Sequence, residues 1–135
     1  MSQESMSQES MSQAMKIPGP DHPITIAPSR GRVRVMLNGR AVADTTRALV
    51  LQEASYKPVF YVPREDADMA LLERTAHGTH CPYKGDASYY SIRAGEGVAE
   101  NAVWSYEQPY PAMREIAGHL AFYPNRVDAI EVTPG

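Results

Sequence analysis

The sequence predicts a small, mainly β domain of about seven or eight short strands with two short helices, closed as a barrel or stacked as a sandwich. Three observations predict it. The pair Asn38-Gly39 sits between two alternating apolar segments, β-branched and aromatic runs recur at close spacing between turn formers, and only two stretches carry a helical pattern.

The chain begins with a polar tandem repeat, MSQES, MSQES, MSQAM, which has neither the basic start nor the apolar middle of a signal peptide. Residues 1–16 are therefore expected to form a disordered tail, and residues 17–135 a single domain. Four prolines and a glycine between Ile17 and Ser29 mark an extended lead-in, held along the domain by Ile24 and Ile26. Arg32-Val33-Arg34-Val35 alternates polar and apolar side chains, Asn38-Gly39 supplies the positive-φ turn, and Ala41-Val42-Ala43 returns as the second strand of a hairpin. Ala48 to Gln52 and Val59 to Val62 read as strands on either side of Lys57-Pro58. After Pro63 the period changes. Acidic residues from Glu65 to Asp68 followed by Met69 and Leu72 predict a short amphipathic helix ending near Arg74, and then a loop rich in Gly, His and Thr. Tyr89 to Ile92 and Val98 to Tyr106 form a second hairpin around Ala94-Gly95-Glu96-Gly97, Pro111 to Ala117 a second short helix, and Leu120 to Tyr123 pairs with Ala129 to Val132 across Asn125-Arg126.

Composition narrows the function. Acidic residues (16) outnumber basic ones (13), so the surplus of positive charge that releases counterions from nucleic acid is missing and no nucleic-acid partner is expected. Cys81 is the only cysteine, which excludes an internal disulfide and a cysteine-rich zinc site and makes the cytoplasm the expected compartment. The longest aliphatic run, Ala48 to Leu51, is far short of the roughly 20 residues of a membrane helix, so no membrane span is expected. No glycine-rich nucleotide loop is present, and no cofactor is assigned.

The eight tyrosines, two phenylalanines and single tryptophan all fall between Tyr56 and Tyr123. They could simply be the core of the second half. They could also line a concave pocket, since tyrosine joins an apolar face to a hydrogen-bonding tip, and a core with no such role would favour phenylalanine. The run from His77 to Asp86 holds nearly every reactive side-chain type. His77, His80 and Cys81 are conceivable metal ligands, but adjacent His80 and Cys81 seldom reach one ion, and no metal is assigned. Cys81 is a candidate nucleophile or a small buried apolar residue. Lys84-Gly85 suits an anionic group, with the ammonium as a point charge and Gly85 allowing close approach to the main chain; a lysine in an exposed tight turn reads the same way. Glu53 closes an aliphatic strand where the chain could open into a cleft. It becomes a general base if desolvation raises its pKa, or else is a solvated strand end. Trp104 and Tyr106 share one face of their strand, as pocket wall or as core.

Glu53 with Pro58, Tyr61 and Pro63, then Cys81-Pro82-Tyr83-Lys84-Gly85-x-Ala87-x-Tyr89, then Val103-Trp104-x-Tyr106-x-x-Pro109 and Ala121-Phe122 resemble a bacterial family known as domain of unknown function 427. The resemblance covers about Arg32 to Val132. It implies a β-tent architecture, similar in shape to methionine sulfoxide reductase B and to zinc-bearing tent domains, without the paired cysteines of their zinc site. The family is also labelled nucleotidyltransferase-like, but this sequence has no strand-borne pair of carboxylates. Asp66-Ala67-Asp68 has the spacing, in what reads as the first turn of a helix.

The leading expectation is a binding domain for a small anionic or aromatic metabolite, in a groove lined by Tyr61, Tyr89, Trp104 and Tyr106, with Lys84, Gly85 and Glu53 as polar anchors. An enzyme using Glu53 as base, Cys81 as nucleophile and Lys84 as oxyanion or phosphate stabiliser, on phosphorylated or nucleotide-like substrates, is the alternative. A third is a protein-interaction module that docks partners on exposed strand edges. Oligomeric state is left open.

Overall fold

A computed structural model describes residues 15–134, and over them the chain forms ten strands in three antiparallel sheets. In chain order the strands are β1 (Ile24–Pro28), β2 (Gly31–Leu37), β3 (Arg40–Thr45), β4 (Leu49–Glu53), β5 (Val59–Tyr61), β6 (Leu72–Cys81), β7 (Gly85–Ala94), β8 (Gly97–Ser105), β9 (Ala121–Phe122) and β10 (Ala129–Pro134). The sheet orders are β1-β4-β5, β10-β2-β3 and β6-β7-β8-β9, and no barrel closes among the described residues. The expected tail over residues 1–16 lies, apart from Met15 and Lys16, outside the described residues. No helix among the described residues is long and apolar enough to cross a membrane.

Both expected hairpins form. Asn38 and Gly39 take positive φ between β2 and β3, and β7 turns into β8 through Gly95, also at positive φ. The lead-in is held as its alternating isoleucines suggest: Ile24 pairs with Glu53 and Ile26 with Leu51.

Three expectations are corrected. The helix after Pro63 is replaced by two single 3-10 turns, Arg64–Asp66 and Met69–Leu71. Between them the backbone is drawn out to pair with β3: Ala67 bridges Ala43, and the Asp68 N–H donates to the Val42 carbonyl at 2.8 Å. Thr45 Oγ1 also donates to the Asp66 carboxylate, so tertiary pairing overrides the local helical pattern and the carboxylates of Asp66 and Asp68 are not on a strand. The supposed Gly/His/Thr loop is the long strand β6, whose polar side chains reflect its place at a sheet edge with most residues exposed. Finally, the last two strands do not pair with each other. The 3-10 turn Pro124–Arg126 sends the chain across to a different sheet, so β9 pairs with β8 and β10 with β2. Pro111–Ile116 is helical, as a 3-10 segment kinked at Met113.

The core has two parts. One, with Val35, Val42, Ile92, Val103 and Leu120, fills the space between the β2-bearing sheet and β7-β8. The other, with Leu51, Tyr61, Ala87, Tyr89, Tyr106 and Ile116, lies between β4-β5 and the opposite face of β7-β8. Reciprocal backbone hydrogen bonds of 2.8 Å between Val62 and Leu120, both part of the first core, tie the first sheet to the third.

Candidate functional site

The alternation of β4 puts Glu53 on the same face as Leu51, so its carboxylate points toward the aromatic core rather than into solvent. Lys84 comes from the tight turn that joins β6 to β7, where Cys81 and Gly85 pair across the base. Its ammonium donates to Glu53 Oε1 at 2.5 Å and lies 3.7 Å from Cys81 Sγ and 5.9 Å from the centre of the Tyr106 ring. The other carboxylate oxygen, Oε2, is 2.8 Å from His22 Nε2. His22 lies flat on Tyr83, ring centres 4.3 Å apart, so the proline-rich lead-in covers the turn. The Lys16 N–H donates to the Pro82 carbonyl, which fastens the lead-in over the same turn.

Beside this ion pair is a cavity of about 240 Å³. Glu53, Tyr61, Lys84, Tyr89, Trp104 and Tyr106, all expected at a common site, line it. Tyr89 and Trp104 are directly opposite each other on β7 and β8, so their side chains share one face of the sheet, and Tyr90 faces the other way into the first core. The hydroxyls are linked. Trp104 Nε1 donates to Tyr61 Oη at 3.3 Å, Tyr89 Oη shares hydrogen bonds with Thr79 Oγ1 at 2.9 Å and Tyr123 Oη at 3.2 Å, and the Tyr123 ring leans on the indole at 4.5 Å.

Burial acts to raise the pKa of Glu53, but hydrogen bonds from Lys84 and His22 outweigh it and hold the carboxyl below its ordinary value, opposite to the direction that would make it a general base. Burial pushes the phenols of Tyr61 and Tyr106 well above their ordinary value and Tyr123 to about 12, keeping these hydroxyls neutral donors.

Two other expected residues adjoin the site without lining the cavity. Gly85 is buried with φ +107° against the backbone of Gln108, Pro109 and Tyr110, so its close approach serves packing within the chain and not a ligand oxygen. Cys81 is half-buried, packs against the aromatic core beside Lys84 and does not line the cavity. His77 faces Tyr89, whereas His80 points to the opposite face of β6 and meets Asp86 at 2.7 Å; among the described residues no group of three His, Cys, Asp or Glu could hold a metal.

His22, Tyr56, Lys57, Thr79 and Tyr123 belong to the site or its surroundings and were not expected there from the sequence. His22 and Thr79 lie in segments that read as lead-in and loop, and only their distant partners reveal them. Tyr123 was within reach, as one more tyrosine at a strand end.

Residues 25–133 match the family described as Domain of unknown function (DUF427), and the chain belongs to that family. No curated protein matches the chain.

Proposed function

We propose that the chain is a binding domain for a small aromatic metabolite with polar substituents, held in the cavity between β4-β5 and β7-β8. The observation that carries this reading is the wall itself: Tyr61, Tyr89, Trp104, Tyr106 and Tyr123 surround a space of about 240 Å³ whose inner polar end is Lys84 with Glu53. A flat ring stacks on such faces, and linked neutral hydroxyls offer it donors and acceptors. Between the aromatic and anionic ligands that the sequence suggests, the aromatic one is favoured. The charge of Lys84 is already met by Glu53, so a ligand anion would have to compete with a carboxylate in place. Of the three ammonium N–H groups, Glu53 and Cys81 occupy two, which leaves a third for a ligand acceptor.

Trp104 is the only tryptophan, so its fluorescence reports on this wall directly. Titration with phenol, benzamide, indole, adenine and benzoate should quench or shift it for at least one neutral ring at or below about 1 mM. Lys84→Met should weaken that binding roughly tenfold, the loss of one hydrogen bond to a charged group. Thr79→Val, at an exposed position, tests the hydroxyl network should Lys84→Met unfold. Silence from all five compounds would overturn the reading.

A second reading rests on Lys84 Nζ touching both Glu53 and Cys81, the constellation an enzyme would need. Glu53 committed on both oxygens and a thiol off the cavity wall favour binding over turnover.

A further inference from the structure

A second cavity, of about 310 Å³, adjoins the first, and no charged or hydroxyl-bearing side chain lines it. It opens between the β10-β2 pair and the chain around β5 and β9, walled by Val35, Phe60, Val62, Phe122, Ile130 and Val132. Its floor belongs to the core, while Val132 at its rim is 48% exposed. Trp104 and Val59 line both cavities.

We infer that the ligand of the aromatic cavity carries an aliphatic tail, which lies in this apolar cavity across Trp104. The inference rests on the binding reading above and names the ligand class more closely: a polar aromatic head with a hydrocarbon chain. Continuity is one reason. The indole lines both spaces, with its N–H turned to Tyr61 Oη and the rest of the ring apolar, which suits the junction between a polar head and an apolar tail. Size is another. Ligand cavities commonly run from about 300 to 1,000 Å³, so each space alone is at or below the lower end and the two joined fall well inside. Composition is the third: charged and hydroxyl-bearing side chains line one space and none lines the other, a division that a uniformly polar or uniformly apolar ligand would leave half unused.

The probes are 4-alkylphenols, from 4-methylphenol to 4-hexylphenol, titrated by calorimetry and by Trp104 fluorescence into the full chain and into Val132→Asp. This substitution sets a carboxylate in the apolar cavity at a half-exposed position; Val132→Trp, which fills the cavity without adding charge, serves if the aspartate variant unfolds. Affinity for the natural chain should rise roughly two- to fourfold per added methylene, from the burial of each CH₂. In the variant that gain should vanish, with 4-methylphenol bound as before. If 4-methylphenol binds and chain length makes no difference, the tail is overturned while the ring-binding reading stands. If no phenol binds, both are overturned. A length dependence that persists in both variants would place the tail elsewhere and overturn the inference. So would a concentration-dependent dimer in sedimentation that Val132→Asp abolishes, because the occupant would then be a second copy of the chain.

Discussion

Lys84 Nζ and Glu53 Oε1 meet at 2.5 Å although 31 positions separate the residues in the chain. Their side chains are only 9% and 16% exposed, so the pair is shielded from the water that would otherwise solvate either charge. Removing one partner leaves the other uncompensated. Lys84→Met should cost about 2–4 kcal/mol in urea unfolding, and the double variant Lys84→Met/Glu53→Leu should cost less than the single one. A double variant whose cost equals the summed costs of Lys84→Met and Glu53→Leu would show that the two charges are not energetically coupled.

Acid should weaken the fold through Glu53 and Glu107. Glu107 accepts from Tyr90 and Ser88 and faces Arg74 and Arg64, and these contacts outweigh the opposing effect of burial to hold its pKa low, as Lys84 and His22 do for Glu53. A carboxyl with a depressed folded pKa contributes stability that is fully present above its ordinary value of 4.5 and is lost as pH falls through the folded value. The urea midpoint should therefore decline below that pH, and less steeply in Glu53→Gln than in the natural chain. Parallel curves for the two proteins would remove Glu53 as a source of the acid limb.

Alkali should act in the opposite sense on the cavity wall. The phenols of Tyr61, Tyr106 and Tyr123 are held protonated above their ordinary value of 10 chiefly by burial, so their contribution is present below that value and is lost as pH rises through the folded pKa values. Part of the phenolate absorbance should then appear together with loss of the fold, monitored by circular dichroism. Complete ionisation of all eight tyrosines before unfolding would contradict this.

Two backbone positions beside the site should respond with opposite signs. Ala54, directly after Glu53, has φ +49°, and Ala54→Gly should stabilise the fold by about 0.5–1 kcal/mol by relieving that conformation. Gly85 has φ +107°, and a methyl group placed on it would meet only ordinary van der Waals contacts, so Gly85→Ala should cost about 1–3 kcal/mol for conformation alone. Thermal unfolding measures both, and a neutral Gly85→Ala would show that the turn accepts a side chain.

Cys81→Ala tests binding against catalysis. Because the thiol is off the cavity wall, affinity for a ring ligand should stay within about twofold, well under the tenfold that 1.4 kcal/mol represents. A larger loss would bring the thiol into the site.

What was legible followed from local rules. Asn38-Gly39 and Gly95 announced their hairpins because turn chemistry acts over a few residues, and alternation along β8 put Trp104 on one face with Tyr106, whereas Glu53 read equally as a cleft residue or a solvated strand end. Tyr61, Tyr89, Trp104 and Tyr106 were legible together through an excess of tyrosine over phenylalanine. The rest depends on distant partners. Acid followed by Met69 and Leu72 looks helical until Val42 and Ala43 claim the backbone of Ala67 and Asp68, and nothing near Asn125-Arg126 signals that β10 crosses to β2. His22 has no local mark at all, because its role comes from Glu53 and Tyr83.

The route by which Glu53, Lys84 and His22 come together also bears on how the chain folds. Each hairpin can close early, since its strands are neighbours in sequence, whereas the cavity needs the lead-in, the first sheet and the β6-β7 turn to arrive together. A chain stalled with only its hairpins formed would lack the cavity proposed to hold a ligand. Recovery of ligand binding during refolding should therefore lag behind recovery of strand content and mark the last step of assembly.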